Sequence, residues 1–143
     1  SLGGQLDFVV YGSASDKGIC SEVASRVDAV SNGQVLNLAG KTTLRGLVKS
    51  IQSCDLFVGT ETSGLHIAIA CELPTIGIVG GGHYDRFVPW GDPERNLFLT
   101  KRMECFHCDW KCQYDEIRCI EEVGAEQVAA AAISLLQLDL NDS

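Results

Sequence analysis

The feature that most constrains the fold of this chain is a series of short apolar runs separated by stretches with helical periodicity. Near-continuous apolar runs of this length are typical of strands buried on both faces of a parallel sheet. Strands are predicted over residues 5–11, 35–38, 55–59, 75–79 and 96–100. Because strands and helices alternate, the sequence predicts an α/β fold, namely a Rossmann-like parallel sheet with flanking helices.

Four helices are predicted from apolar residues spaced three and four apart. The inward face of the first contains Ile19, Val23, Val27 and Val30. The second helix follows a cap at Thr42 or Thr43, and its inward face contains Leu44, Leu47, Val48 and Ile51. The third runs from about Ser63 to Cys71. The fourth runs from about Ala125 to Leu138, with an inward face of Val128, Ala131, Ala132 and Leu135.

Composition and charge exclude several classes of protein. The 143 residues are 45% hydrophobic and 21% charged, which excludes a disordered chain and predicts a single domain over residues 1–143. A net charge of −8 opposes binding to nucleic acid, whose phosphates require a basic surface. No apolar run approaches the roughly 18 residues that cross a bilayer, and the start, Ser1–Gly4, lacks the features of a secretory signal. We therefore expect a cytoplasmic protein.

The loop after the third strand is the first candidate site, because ligands of parallel α/β layers bind at the carboxyl ends of strands. It contains Glu61, Thr62, Ser63, Gly64 and His66. Unpaired N–H groups at the start of the next helix favour an anion, the hydroxyls add donors, and the glycine lets a ligand approach the backbone. Glu61 can accept hydrogen bonds from sugar hydroxyls. The alternative is an ordinary capped helix with a buried, satisfied His66.

Three consecutive glycines after the fourth strand mark a second candidate site. Glycine costs conformational entropy on folding, so Gly81 and Gly82 predict either a close approach of a ligand to the backbone or an unusual turn. His83 and Arg86 are the nearest polar groups. Arg86 can hold a phosphate or carboxylate through two hydrogen bonds, or it can form an ordinary surface ion pair.

The loop after the second strand is a third candidate. Lys41 and Thr42 lie between this strand and the next helix, where they can border a nucleoside or reach a phosphate. The surrounding residues lack the rest of a P-loop, so these two residues alone are a weak signal.

The cysteines predict either a metal site or a set of free thiols. Seven cysteines are an odd number, which excludes complete disulfide pairing within one chain. Four of them are close together in the sequence: Cys105, Cys108, Cys112 and Cys119. Their Cys-x2-Cys step is usual in structural zinc sites, whereas the spacing differs from that of ferredoxin clusters. Reduced thiols and disulfides are the alternatives. His107 is a weaker ligand candidate, and we expect Phe106 and Trp110 to pack the loop.

Three segments together resemble the carboxyl-terminal half of the heptosyltransferase-like family, glycosyltransferase family 9. They are residues 37–44, 54–70 and 73–80, and their order, their spacing and the downstream cysteines fit the family over nearly the whole chain. The resemblance implies the donor-binding half of a two-domain GT-B glycosyltransferase. It further implies transfer of a sugar, typically heptose from ADP-heptose, to lipopolysaccharide core or a related glycan. This transfer requires no cofactor, so any zinc would be structural.

The resemblance also implies roles for individual residues. Thr62, Ser63 and Gly64 are implied to hold the donor diphosphate, and Glu61 to face the sugar. His66 is implied to support the loop or to contact the phosphate, while residues 40–42 border the nucleoside. The chain departs from the family pattern in having a glutamate where Asp is usual, and in having its glycine one residue later.

Family members are about twice as long as this chain. The resemblance therefore implies a fragment that begins at the second strand of the donor domain, without the amino-terminal domain that carries the catalytic base. We expect no transferase activity from this chain alone, and dimerisation through an exposed sheet edge. The implied partners are a nucleotide-sugar donor, a glycan or lipopolysaccharide-core acceptor and the missing domain. The implied location is the cytoplasm, including the inner-membrane surface.

Two other functions fit the same residues. A nucleotide-binding or regulatory module would bind nucleotide without transfer chemistry. A zinc-stabilised interaction domain would bind no nucleotide and would require zinc to fold. The Rossmann-like layer hosts many functions, so the site has to decide between them.

Overall fold

The computed structural model describes residues 5–141, and side chains as far as residue 137. Residues 1–4, whose sequence lacks the features of a secretory signal, lie outside the described residues. The strands are β1 (Phe8–Val10), β2 (Val35–Asn37), β3 (Phe57–Thr60), β4 (Thr75–Ile78) and β5 (Asn96–Leu99). The helices are α1 (Lys17–Asp28), α2 (Leu44–Gln52), α3 (Ser63–Ala70), α4 (Arg118–Glu121) and α5 (Ala125–Asn141).

The described strands pair only in parallel. β1 pairs with β2, and β4 lies between β3 and β5. The α/β class and the parallel arrangement are therefore confirmed, and each predicted strand is present. All are shorter than predicted: β1 spans Phe8–Val10 of the predicted 5–11, and β3 extends one residue beyond its predicted end. Helix α4 is an addition that the sequence did not predict. The chain divides within α2 into two compact units, the first ending at Leu47 and the second beginning at Val48. A single domain over the whole chain stays a prediction.

In the first unit, α1 packs on β1 and β2 through a different face from the one predicted. Cys20 is buried, whereas Ile19 is 65% exposed and Val30 is 86% exposed. A Cβ at Gly12 would lie 2.5 Å from the Cys20 sulfur, so the helix approaches the chain closely at this point. The predicted face is wrong except for Val27, which is partly buried, because the inward stripe of α1 also contains Cys20 and Ala24, which are small enough to permit this approach.

The second unit is built around α3 and the sheet of β3, β4 and β5. Its core cluster contains Leu65, Ile69, Val79 and Val88. Leu65 is fully buried, and a Cβ at Gly77 of β4 would lie 3.2 Å from its methyl groups. The glycine therefore lets α3 lie directly on the backbone of β4. Because α3 follows β3 after two residues, its amino terminus lies at the carboxyl end of the sheet.

Helix α5 contacts β4 and β5, as its apolar spacing predicts. Leu135 is buried, and Val128, Ala131 and Ala132 are partly buried, so the predicted inward face is confirmed. Within the part of the chain that the structure describes, no helix is long and apolar enough to cross a membrane.

We expect Leu65→Ala to lower the free energy of unfolding by about 2–5 kcal/mol, because the truncation leaves a cavity against β4. Ile133→Ala on α5 is the control: this side chain is 38% exposed, and we expect a change within about 0.5 kcal/mol. Urea unfolding followed by circular dichroism measures both. Equal effects of the two substitutions would contradict the assigned core.

Candidate functional site

The amino terminus of α3 is open. Thr62 occupies the N-cap position with an extended backbone, but its side chain makes no capping hydrogen bond. Ser63, Gly64 and Leu65 form the first turn, where backbone N–H groups have no partner within the helix. The alternative of an ordinary side-chain cap at this helix is therefore not realised. The uncapped turn combines free donors with the positive end of the helix dipole, which favours a bound anion.

Glu61 adds an unsatisfied carboxylate directly before this turn. Its Oε2 atom is buried and has no hydrogen-bond partner among the described residues. A buried, unpaired acceptor costs roughly 1–3 kcal/mol or more, so such atoms require an explanation. A ligand that donates hydrogen bonds would remove this cost.

Gly64 has a structural reason as well as the predicted functional one. A Cβ at this position would lie 3.0 Å from the ring of Phe57 on β3. Substitution at Gly64 would therefore disturb the contact between α3 and β3, whether or not a ligand binds there. Ser63 is exposed and offers a cleaner position for testing the site.

His66 lies one turn into α3 and is half-buried. The indole Nε1 of Trp90 donates a hydrogen bond to His66 Nδ1 at 3.0 Å, and the two rings stack with centroids 5.9 Å apart. Side chains of a helix lean towards its amino terminus, so His66 shares the face of the open first turn. Trp90 is a residue of this site that the sequence analysis missed.

The three glycines after β4 lie beneath two aromatic rings. A Cβ at Gly80 would lie 2.4 Å from Trp110, one at Gly81 2.4 Å from Phe106, and one at Gly82 2.7 Å from Trp110. This packing gives the glycines a structural reason, and the predicted contact of Gly81 and Gly82 with a ligand stays a prediction. The predicted packing of Phe106 and Trp110 in the loop is confirmed.

The loop after β4 and the loop that carries Phe106 and Trp110 are joined by two His–Asp pairs, in which each loop supplies one His and one Asp. His83 Nε2 bonds to Asp109 at 2.6 Å, and His107 Nε2 bonds to Asp85 at 3.1 Å. Arg86 lies 4.0 Å from Asp109 and is largely exposed, which is the surface ion pair that the sequence analysis left open. His83 and Arg86 both lie against the Asp109 carboxylate, and their predicted contact with a ligand stays a prediction. The chain could have revealed these pairs through its two His-x-Asp sequences, at residues 83–85 and 107–109.

Much of the unusual backbone of the chain lies in these joined loops. Asp85, His107, Asp109 and Trp110 have φ between 53° and 67°. Left-handed conformations are unfavourable for residues other than glycine, although Asp and His tolerate them better than most. The His–Asp pairs and the ring packing supply the contacts that hold them.

The four clustered cysteines line one small cavity together with Gly81 and Gly82. All are free thiols, and the N–H of Gly81 donates to the Cys119 sulfur at 3.4 Å. Among the side chains that the structure describes, within residues 5–137, no three His, Cys, Asp or Glu are arranged as ligands of one ion. The spacing of Cys105, Cys108 and Cys112 brings the thiols near each other without forming a ligand set. The zinc site stays a prediction.

Lys41 and Thr42 belong to the first unit, and the residues described above belong to the second. Lys41 Nζ donates to the backbone carbonyl of Asn37 at 2.8 Å. Thr42 is half-buried just before α2. Their contact with a nucleoside stays a prediction.

A family model supplies the decisive comparison. The model of glycosyltransferase family 9 (heptosyltransferase) matches residues 4–115, well over half of the chain. This chain belongs to glycosyltransferase family 9. The match includes β3, α3 and β4, and with them the open helix terminus and Glu61.

Similar proteins agree with this membership. The chain is 26% identical over 133 residues to lipooligosaccharide heptosyltransferase 2 of Campylobacter jejuni, covering 92% of this chain and 41% of that relative. It is 30% identical over 91 residues to lipopolysaccharide heptosyltransferase 2 of Salmonella typhimurium, covering 64% and 26%. The chain thus spans about two fifths of the length of the first relative.

A crystal structure from the same family shares the fold. The glycosyl transferase family 9 protein from Veillonella parvula superposes with a TM-score of 0.69 at 18% identity, over 90% of this chain and 36% of that one. The Rossmann-like architecture inferred for this family 9 chain is therefore confirmed.

We expect Gly81→Ala to destabilise the joined loops by about 1–3 kcal/mol, because the added methyl group overlaps the Phe106 ring. Gly18→Ala on α1 is the control, since a Cβ there meets nothing within 4 Å. We expect this control to be neutral or to stabilise by up to about 1 kcal/mol. Chemical unfolding monitored by tryptophan fluorescence measures both, and equal stability of the two variants would contradict the packing.

Proposed function

We propose that this chain is the donor-binding part of a glycosyltransferase that acts on lipopolysaccharide or lipooligosaccharide. The observation that carries the proposal is the juxtaposition of the uncapped α3 terminus with the buried, unpaired Oε2 of Glu61. Membership of glycosyltransferase family 9 and the heptosyltransferase names of its relatives support the same reading.

Charge assigns different parts of the donor to these groups. The α3 terminus presents N–H donors and a partial positive charge, which suits a diphosphate. The Glu61 carboxylate repels phosphate oxygens but accepts hydrogen bonds from hydroxyl groups. The diphosphate therefore lies over Thr62, Ser63 and Gly64, and the sugar lies beside Glu61.

This arrangement also assists the reaction. When the bond between the sugar anomeric carbon and the diphosphate breaks, the leaving nucleoside diphosphate gains negative charge. The α3 N–H groups are already oriented towards that charge, so they stabilise the transition state more than the ground state. Glu61 orients the sugar through its hydroxyls. We place the base that activates the acceptor in a further domain, as the resemblance to the family implies; the chain spans 41% of its Campylobacter relative.

The finer features of the proposal are the donor and the location. The donor is ADP-heptose, the acceptor is the lipopolysaccharide core or a related glycan, and transfer takes place in the cytoplasm or at the inner-membrane surface. The names of the relatives support a heptose donor. This chain alone binds donor without turning it over, and its exposed sheet edge pairs in a dimer.

Ser63→Pro tests the diphosphate site. Thr62 is extended and Ser63 is the first helical residue, so proline fits here without breaking the helix. The substitution removes one backbone N–H donor as well as the hydroxyl. We expect the affinity for ADP to fall about tenfold, since a charge-assisted hydrogen bond contributes about 1.5–3 kcal/mol.

Ser63→Ala is the matched control, because it removes the hydroxyl and keeps the N–H. Calorimetric titration with ADP, UDP, GDP and ADP-heptose compares wild type and both variants, and backbone amide NMR shifts locate the ligand. Selective shifts at residues 60–66 with one nucleotide support the donor site and identify the base. Equal affinities of the Pro and Ala variants would show that the diphosphate lies elsewhere.

Nucleotide binding without turnover by a longer family protein that includes the further domain would favour the regulatory-module alternative.

A further inference from the structure

The chain contains the same Trp-to-His hydrogen bond twice, and in one of the two pairs the other ring nitrogen of the histidine is also bonded. Trp110 Nε1 donates to His83 Nδ1 at 3.2 Å, and His83 Nε2 bonds to the Asp109 carboxylate at 2.6 Å. Trp90 Nε1 donates to His66 Nδ1 at 3.0 Å. Among the described residues, His66 Nε2 has no hydrogen-bond partner corresponding to Asp109.

This contact determines which ring nitrogen carries the proton. An indole N–H is only a donor, so the Nδ1 atom that receives it must present a lone pair. The hydrogen of the neutral imidazole is then on Nε2. His83 uses this Nε2–H to bond a carboxylate, whereas His66 leaves its own available.

The loop that carries Trp90 is anchored on both sides of the tryptophan. Val88 is 1% exposed and belongs to the core cluster with Leu65. On the other side, a Cβ at Gly91 would lie 2.3 Å from the amide oxygen of Asn96, which is itself buried. The indole is 41% exposed, but the backbone on either side of it packs against the interior, so its N–H is held in a defined position.

From these observations we infer that Trp90 is a positioning residue that holds His66 as the Nε2–H tautomer, so that His66 donates to an anionic oxygen of the ligand. The His83 pair indicates which kind of atom would accept the hydrogen bond from His66 Nε2, because the acceptor at His83 Nε2 is a carboxylate oxygen. At the open terminus of α3, the equivalent atom is a diphosphate oxygen of the donor. This last step rests on the proposed function, whereas the tautomer does not.

The test uses Trp90→Phe, which keeps an aromatic ring for stacking and removes the N–H. Trp110→Phe is the matched control, since it makes the same change at the other pair. The chain has three histidines and two tryptophans, so the imidazole signals and the two indoles are few enough to assign. Long-range proton–nitrogen NMR correlations of the free chain then report the tautomer of each histidine.

We expect His66 to be the Nε2–H tautomer in the wild type and in Trp110→Phe, and a mixture of tautomers in Trp90→Phe. His83 should change only in Trp110→Phe. A structural role in packing alone would leave the tautomer of His66 unchanged in Trp90→Phe. That result, or an Nδ1–H signal for His66 in the wild type, would overturn the inference.

An ADP titration of the same proteins separates this inference from the proposed function. We expect ADP to bind about fivefold more weakly to Trp90→Phe, in line with the loss of one oriented hydrogen bond, and equally to Trp110→Phe and wild type. His66 Nε2 should shift on binding. If the wild type holds the expected tautomer but binds no nucleotide, the Trp90 assignment stands and the donor site fails. If ADP binds both variants equally, the role of Trp90 in ligand binding is overturned.

Discussion

The packing of α3 on the backbone of β4 is the contact on which the rest of the candidate site depends. Leu65 is fully buried against Gly77, and a larger residue in the strand would push the helix away. The chain connection from β3 places the first turn of α3 beyond the carboxyl end of that strand, with Glu61 in the connection, and the Leu65–Gly77 contact fixes how closely the helix packs there. The anion site therefore combines an apolar contact and unpaired N–H groups within the same first turn of the helix: the Leu65 side chain packs on β4, and the backbone N–H groups of the turn stay without a partner in the helix.

The two loops rich in unusual residues differ in how far their hydrogen bonding is satisfied. After β4, aromatic rings pack directly on the backbone of the glycines, and the histidines and aspartates of the two loops form hydrogen bonds with each other. After β3, Oε2 of Glu61 has no hydrogen-bond donor, and the N–H groups in the first turn of α3 have no side-chain acceptor from the N-cap residue. Buried polar groups normally have hydrogen-bond partners. A buried group without one therefore indicates a ligand site better than a glycine-rich or charged sequence does.

Particular residues show which parts of the structure could be predicted from the sequence. The β3–α3–β4 segment was predicted closely, because each apolar run is short, continuous and bounded by a clear stop, which leaves few alternatives. The face of α1 was predicted wrongly, because its sequence contains two apolar stripes and the small size of Cys20 decided between them. The glycines after β4 predicted either the close approach of a ligand or an unusual turn, and the sequence did not decide between the two. Their partners, Phe106 and Trp110, lie more than twenty residues later, where local patterns do not reach.

The sequence by itself determined the alternation of strands and helices, the parallel sheet and the position of the candidate site after β3, because these follow from local periodicity and from the geometry of parallel connections. Only the tertiary structure decided which polar groups are satisfied. It joined His83 to Asp109, left Oε2 of Glu61 unpaired and brought Trp90 to His66. Hydrogen bonds between distant segments depend on how those segments pack, and no local pattern specifies that packing.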